Sequence, residues 1–259
     1  MSAAAPQPAD VRLMNGAATA LFAAGLALLL AAAGWWALRH PLFAVSGITV
    51  QGDVSHNSAA TLRANVAPRL AGNFFTVNLK AAREAFESAP WVRHAVVRRE
   101  FPNRLRVELQ EHKAVALWGG EHDVRMVNSF GEVFEANVGD VESDELPRLA
   151  GPEGHSREVL AMYEALGPLF EPLELAVARV ALSARGSWSV ELDTGAVVEL
   201  GRGTREEVMA RAQRFVQTLT RAASRYGRTP EALVAADLRH ADGYALRLRG
   251  VATTEAVKK

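Results

Sequence analysis

Between Ala17 and Leu38 the chain runs for 22 residues, AATALFAAGLALLLAAAGWWAL, without one ionisable side chain. A helix of that length, at about 1.5 Å rise per residue, spans roughly 33 Å, enough to cross a hydrocarbon core of about 30 Å. Trp35 and Trp36 close the span, where indole rings favour the headgroup region, and Arg39 follows directly. A buried core helix this long would be unusual without a polar face. A cleaved signal peptide is the sharper rival. Its apolar run is usually about 7–15 residues and ends at small residues, whereas this one is longer and ends in Trp-Trp. The expectation is an uncleaved transmembrane signal anchor over 17–38. Charge orients it only weakly, because Arg12 and the terminal amine stand beside Asp10, and Arg39 sits on the other flank. Residues 1–16, with Pro6 and Pro8, have little to fold with, so a short cytoplasmic tail and a translocated bulk are expected.

The remainder must supply the working part. Over the full 259 residues, 29 Lys and Arg balance 29 Asp and Glu, which argues against a partner held by bulk attraction to nucleic acid. No cysteine is present, so a disulfide framework, a thiolate nucleophile and Cys-ligated zinc are excluded. The balance is local cancellation. Residues 43–110 hold nine Lys and Arg against five Asp and Glu, a charge of +4, and residues 111–250 hold sixteen against twenty-two, a charge of −6. A basic domain next to a membrane span can favour anionic headgroups or acidic partner segments, although a solvated surface has the same composition.

From Phe43 onward the pattern is that of a small α+β unit. Residues 43–50 have strand composition and end in a Gln51-Gly52-Asp53 turn. Leu62, Val66 and Leu70 recur at helical spacing after Ser58. Phe74 and Phe75 form an apolar knot, and Asn78 is placed to cap a helix carrying Leu79, Ala82 and Phe86 that stops before Pro90. Strands are expected over 92–99 and 105–109, joined through Phe101-Pro102-Asn103. In the second, Leu105, Val107 and Leu109 face one way while Arg104, Arg106 and Glu108 face the other.

Three stretches, Ile48-Thr49-Val50-Gln51-Gly52, the run from Pro90 to Arg99 (PWVRHAVVRR) and the run from Phe101 to Val107 (FPNRLRV), resemble a POTRA domain of the type found in the bacterial FtsQ/DivIB family. The long P-W-V-x-x-A-x-V-x-R-x-x-P-x-x-L-x-V pattern carries the resemblance. As packing alone, Trp91 plugs the core, Pro102-Asn103 makes the turn, and Arg98 and Arg99 are solvated.

The second unit, 111–250, reads as strands at 116–118, 124–127 and 133–134, then an acidic loop over 137–156. Ser156 is expected to cap a helix with Val159, Leu160, Tyr163, Leu166 and Phe170 on one face. A strand at 175–182 and a hairpin around Asp193-Thr194-Gly195 follow. Thr204 and Glu207 form a capping box for a long helix through Met209, Ala212, Phe215, Val216 and Leu219, ending near Tyr226-Gly227. The last two strands are expected at 234–240 and 244–248, and 251–259 as a flexible tail. Asn128–Phe134, Leu146–Pro152, Leu200-Gly201-Arg202-Gly203 and Asp237-Leu238-Arg239 again resemble the FtsQ/DivIB family, so the likeness covers roughly 12–250. The expected architecture is α+β throughout: one transmembrane helix, a POTRA domain of βααββ order over 43–110, and a mixed or antiparallel β domain with two or more helices over 111–250.

Chemistry-bearing motifs are missing. None of the seven histidines stands in an HExxH or paired-ligand spacing, and no nucleophile elbow or phosphate-binding loop occurs. Glu121-His122-Asp123 is the densest group of potential ligands, but adjacent residues on an extended segment point apart. Gly201-Arg202-Gly203 lacks the lysine of a phosphate loop and is read as the entry to the capped helix. No catalytic, cofactor or metal residues are assigned.

The resemblance implies a binder of the inner membrane at the division septum, not an enzyme. Its partners would be FtsB and FtsL, with FtsK, FtsW and FtsI as further candidates. In that family the end of the β domain docks a segment of FtsB. Strand addition to an exposed edge suits the last hairpin, whose candidate contacts are Arg239, His240, Asp242, Gly243, Tyr244, Arg247 and Leu248. Arg239 is read as an ion-pair partner for an incoming carboxylate, and His240 stands where the family commonly has Tyr. On the POTRA side, Arg93, Arg98 and Arg99 are the candidate contacts. A component of outer-membrane protein export or assembly is the alternative, but such proteins carry several POTRA repeats and a long series of barrel strands.

Overall fold

The computed structural model describes residues 9–251 apart from 59–61, 63, 65, 67, 69, 71, 121–122 and 241–242. The chain divides into two compact units on either side of the Gln110–Glu111 peptide.

In the first unit, α1 (Ala9–Leu38) is one continuous helix, and its segment Asp10–Trp36 is long and apolar enough to cross a membrane, with none of that window buried. A short turn at Pro41–Phe43 leads into β1 (Gly47–Gly52). Leu62, Ala64 and Val66 are helical, with Leu62 and Val66 buried, as their spacing requires. Asn78 caps α2 (Leu79–Glu87) by accepting from the N–H groups of Lys80 and Ala81 at 3.0 and 3.1 Å. β2 (Val92–Glu100) and β3 (Arg104–Glu111) follow. The sheet order is β1-β3-β2, with β1 parallel to β3. Leu105, Val107 and Leu109 all turn inward, and Val107 and Leu109 meet Phe86, Val92 and Ala95. Trp91 is buried and stacks on His56 at 3.9 Å. This is the βααββ arrangement of a POTRA domain.

Among the described residues, the second unit is built on one mixed sheet of nine strands. They are β4 (Ala114–Trp118), β5 (Arg125–Asn128), β6 (Val133–Phe134), β7 (Arg148–Ala150), β8 (Val177–Leu182), β9 (Ser187–Leu192), β10 (Val197–Arg202), β11 (Leu233–Asp237) and β12 (Ala245–Leu248). Their order is β12-β11-β10-β9-β8-β7-β4-β5-β6. Helices α3 (Ser156–Phe170) and α4 (Arg205–Ser224) carry the chain between parallel neighbours, β7 to β8 and β10 to β11, as a crossover connection must. Both helices cover the sheet and touch each other.

α4 buries Val208, Ala212, Phe215, Leu219 and Ala223. Its capping box forms as expected: Thr204 Oγ1 accepts from the Glu207 N–H at 3.4 Å, and Glu207 accepts from the Thr204 N–H at 3.0 Å. Ser156 does not cap α3. It is the first helical residue, and its hydroxyl donates to the Gly131 carbonyl at 2.6 Å, tying α3 to the β5–β6 turn. A buried hydroxyl takes the acceptor that tertiary packing offers, and here that acceptor lies 25 positions away. The same turn explains the 128–134 motif. Asn128 is fully buried, accepts from the N–H groups of Phe130 and Glu132 at 2.9 and 3.0 Å, and donates to the Glu132 carboxylate at 2.7 Å.

Candidate partner-binding edge

The strand at the end of the nine-stranded sheet, β12, is hydrogen-bonded along one side only among the described residues, to antiparallel β11. Its other side is a row of main-chain donors and acceptors without a neighbouring strand. Leu248 is buried in the core and Arg247 is exposed, so the pleat turns one toward the helices and the other to solvent.

The expected strand from Val234 to His240 stops short. β11 ends at Asp237, because the next residues leave the ladder. Leu238 is buried and donates its N–H to Glu199 O at 2.8 Å, on β10. The Asp237 carboxylate then folds back over the turn. It accepts from the Arg239 N–H at 3.0 Å, from Arg239 Nε at 2.8 Å and from Arg239 Nη2 at 2.6 Å. This fork-to-carboxylate pair holds the Asp237 carboxyl down at about 2, the guanidinium bonds being the largest cause and the backbone N–H the next. Arg239 is held correspondingly above its ordinary value by the same carboxylate. In the chain by itself Arg239 is paired with a carboxylate two residues away.

The Leu200–Gly203 stretch makes room for that pair. Gly201 has φ +82°, and a Cβ there would come within 2.9 Å of Arg239 Cγ. Gly203 has φ +141°, and a Cβ would meet the capping carboxylate of Glu207 at 2.4 Å. Both glycines are required by backbone conformation and by close approach.

Tyr244 is bound to α4. Its hydroxyl lies 2.8 Å from Thr218 Oγ1, and its ring stands edge-on to Phe215 at 5.0 Å. Together with Leu238, His240 and Gly243 these residues border a cleft of about 240 Å³ beside β12. From sequence Phe215 is only a core-face position of the long helix, and Thr218 carries no assignment. Their spacing of three on α4 puts them on one face, but only the fold brings that face under Leu238, His240 and Tyr244. Asp242 lies outside the described residues.

The POTRA arginines separate in the structure. Arg93 reaches Gln110 Oε1 at 3.2 Å, and Arg98 makes a long exposed pair with Glu108 at 3.9 Å. Arg99 is not simply solvated. Its guanidinium donates to Phe74 O at 2.6 Å, Phe75 O at 3.3 Å and Val77 O at 2.9 Å, fastening the loop before α2. Among the described residues no three His, Asp or Glu side chains gather in a metal-binding group.

Comparison with known sequences agrees with this architecture. Residues 43–112 match the POTRA domain, FtsQ-type, and residues 116–239 match the C-terminal domain of cell division protein FtsQ/DivIB. Cell division protein FtsQ of Burkholderia pseudomallei is 43% identical over 243 residues, covering 93% of this chain and 94% of that one. The chain belongs to the FtsQ/DivIB family. FtsQ of Thiomonas arsenitoxydans is 38% identical over 255 residues, covering 97% of this chain and 93% of that one. FtsQ of Bordetella pertussis is 39% identical over 257 residues, 92% of each chain. The chain is thus a cell division protein of that family, with a POTRA domain and an N-terminal apolar helix compatible with a single membrane pass.

Proposed function

We propose that the protein is a non-catalytic scaffold of the divisome. α1 anchors it in the inner membrane, residues 1–16 lie in the cytoplasm, and residues 43–250 work on the periplasmic side at the septum. Its principal partner is a segment of FtsB, with FtsL carried in the same assembly. The open side of β12 carries this reading. An extended partner segment can continue the ladder there, and the cleft that α4 forms with Leu238, His240, Gly243 and Tyr244 can take one of its side chains. Tyr244 and Phe215 give the cleft a rigid aromatic floor and His240 lines it, while Arg247 on the solvent face of β12 and the Arg239–Asp237 pair after β11 are further contacts for the segment. FtsK, FtsW and FtsI are assigned to the basic POTRA unit through Arg93 and Arg98, since Arg99 is engaged with its own loop.

Affinity for a synthetic FtsB segment, measured on the soluble part of the chain with Arg239→Glu and Tyr244→Ala, tests the edge. Both substitutions are expected to weaken binding, and unchanged affinity for both sinks the assignment. Deletion of 43–110 with localisation and all those partners intact removes the POTRA contacts. A reporter fused after residue 250 that is active only in the cytoplasm reverses the topology.

A further inference from the structure

The first unit holds four touching aromatic rings, of which Phe74 is buried, Phe43 half-buried and two stand in the open. Phe75 is 42% exposed and Phe101 76% exposed. The rings form one contiguous chain of edge-to-face contacts, Phe43 to Phe75 at 4.9 Å, Phe75 to Phe74 at 5.2 Å and Phe74 to Phe101 at 6.2 Å. Single exposed apolar side chains need no explanation, but a joined patch indicates a surface that something covers.

Its place in the fold says what. The Asn73 amide donates to the carbonyl of Leu38, the last residue of α1, and the Phe74 N–H donates to Phe43 O at 2.7 Å. Phe43 is five residues beyond Leu38, so the cluster sits within roughly 17 Å of the helix end even for an extended connection. The helix end is itself dressed for a membrane surface. Trp35 and Trp36 are exposed, Arg39 lies over the Trp35 ring at 4.0 Å, and His40 meets Trp36 edge-on. Nor is the exposure a loose loop. Asn73 Oδ1 accepts from the N–H groups of Phe75 and Thr76 and from Thr76 Oγ1, each at 3.0 Å, while Arg99 grips the carbonyls of Phe74, Phe75 and Val77.

We propose that the 73–77 loop and the Phe101 turn are a lipid-contact surface, with the Phe75 and Phe101 rings seated in the headgroup region of the bilayer that α1 crosses. The proposal rests on the reading of α1 as a membrane span. A bilayer is chosen as the occupant because the patch is continuous with the point where that helix leaves it. The phenyl rings need insert only to the depth of about 5–10 Å at which apolar faces of surface-bound elements sit. The contact fixes the height and tilt of the first unit on the membrane, which α1 alone leaves free.

The cysteine-free sequence makes the test direct. Single-cysteine full-length chains, Phe75→Cys, Phe101→Cys, Leu28→Cys within α1 and Glu84→Cys at an exposed position of α2, are labelled with an environment-sensitive fluorophore. They are reconstituted in phosphatidylethanolamine–phosphatidylglycerol vesicles containing spin-labelled lipids, with circular dichroism showing each folded like the unlabelled chain. The expected result is blue-shifted emission at 75 and 101 that shallow spin labels quench, quenching at 28 by deep ones, and water-like emission at 84. If 75 and 101 behave like 84 while 28 is deeply quenched, the helix spans and the lipid surface is refuted. If 28 is also unquenched, the span itself is refuted and this proposal falls with it.

Discussion

The loop at 73–77 in the first unit and the strand end at 237–239 in the second are each fastened by one arginine. Arg99 donates to three backbone carbonyls, which have no proton to gain or lose. Arg239 instead grips a carboxylate, with both side chains reachable by water. The first arrangement has no competitor in kind. The second is built from two charged side chains within reach of water, and its carboxylate titrates. An arginine holding main chain sets a shape, whereas an arginine holding a neighbouring carboxylate at a sheet edge keeps two charges satisfied.

Four substitutions separate the two regions. Phe215→Ala should cost the second unit about 3–5 kcal/mol, because a fully buried ring is lost beneath Tyr244. Denaturant unfolding should show that loss in the second unit alone, and an equal shift in the first would mean the regions are coupled. Arg99→Met should cost the first unit about 1–3 kcal/mol, the range for lost hydrogen bonds to a charged group. It should also raise proteolytic cleavage near Phe75, and an unchanged digestion pattern would deny Arg99 its role.

Gly201→Ala comes next, at roughly 1–2 kcal/mol for a non-glycine residue forced to positive φ. The added methyl pushes on Arg239, so affinity for the FtsB segment should fall further than stability does. Equal falls would separate the edge from the Arg239 turn. Asp237→Asn should have the smallest effect, and its effect should depend on pH. The Asp237 carboxyl is depressed from 3.8 to about 2, so what it adds to stability is complete above about pH 4 and fades as pH drops through 2. Wild type and variant should therefore differ at neutral pH and converge in strong acid, while Arg99→Met keeps its deficit across that range. Parallel curves for Asp237→Asn would show that the carboxylate does not depend on the ion pair.

Much of the fold was legible along the chain. The caps at Asn78 and Thr204, the inward set Leu105, Val107 and Leu109, and the apolar span need only local spacing, because helix and strand periodicities act within a few residues. Ser156 was misread for the opposite reason. Its hydroxyl satisfies Gly131 O, an acceptor that no window around position 156 contains. The next-to-last strand was read too long at residues 238–240, since alternation says nothing about a carboxylate folding back onto an arginine two residues on. Arg99, expected on a solvated face, was drawn to carbonyls 22 to 25 positions earlier.

What the sequence determined alone was the kind of molecule. A run of 22 residues without charge can only be satisfied by burial in something as apolar as itself, and two charge-unlike units follow it. Family membership was likewise readable, because its motifs are turns, caps and close glycine approaches that demand particular residues at fixed spacing. Tertiary structure decided which surfaces remain open. Strand order puts β12 at the end of the sheet, and packing leaves Phe75 and Phe101 uncovered beside the end of α1. Neither follows from local pattern, because an edge or an exposed patch is defined by which neighbour is missing, and that depends on the whole arrangement of strands and loops around it.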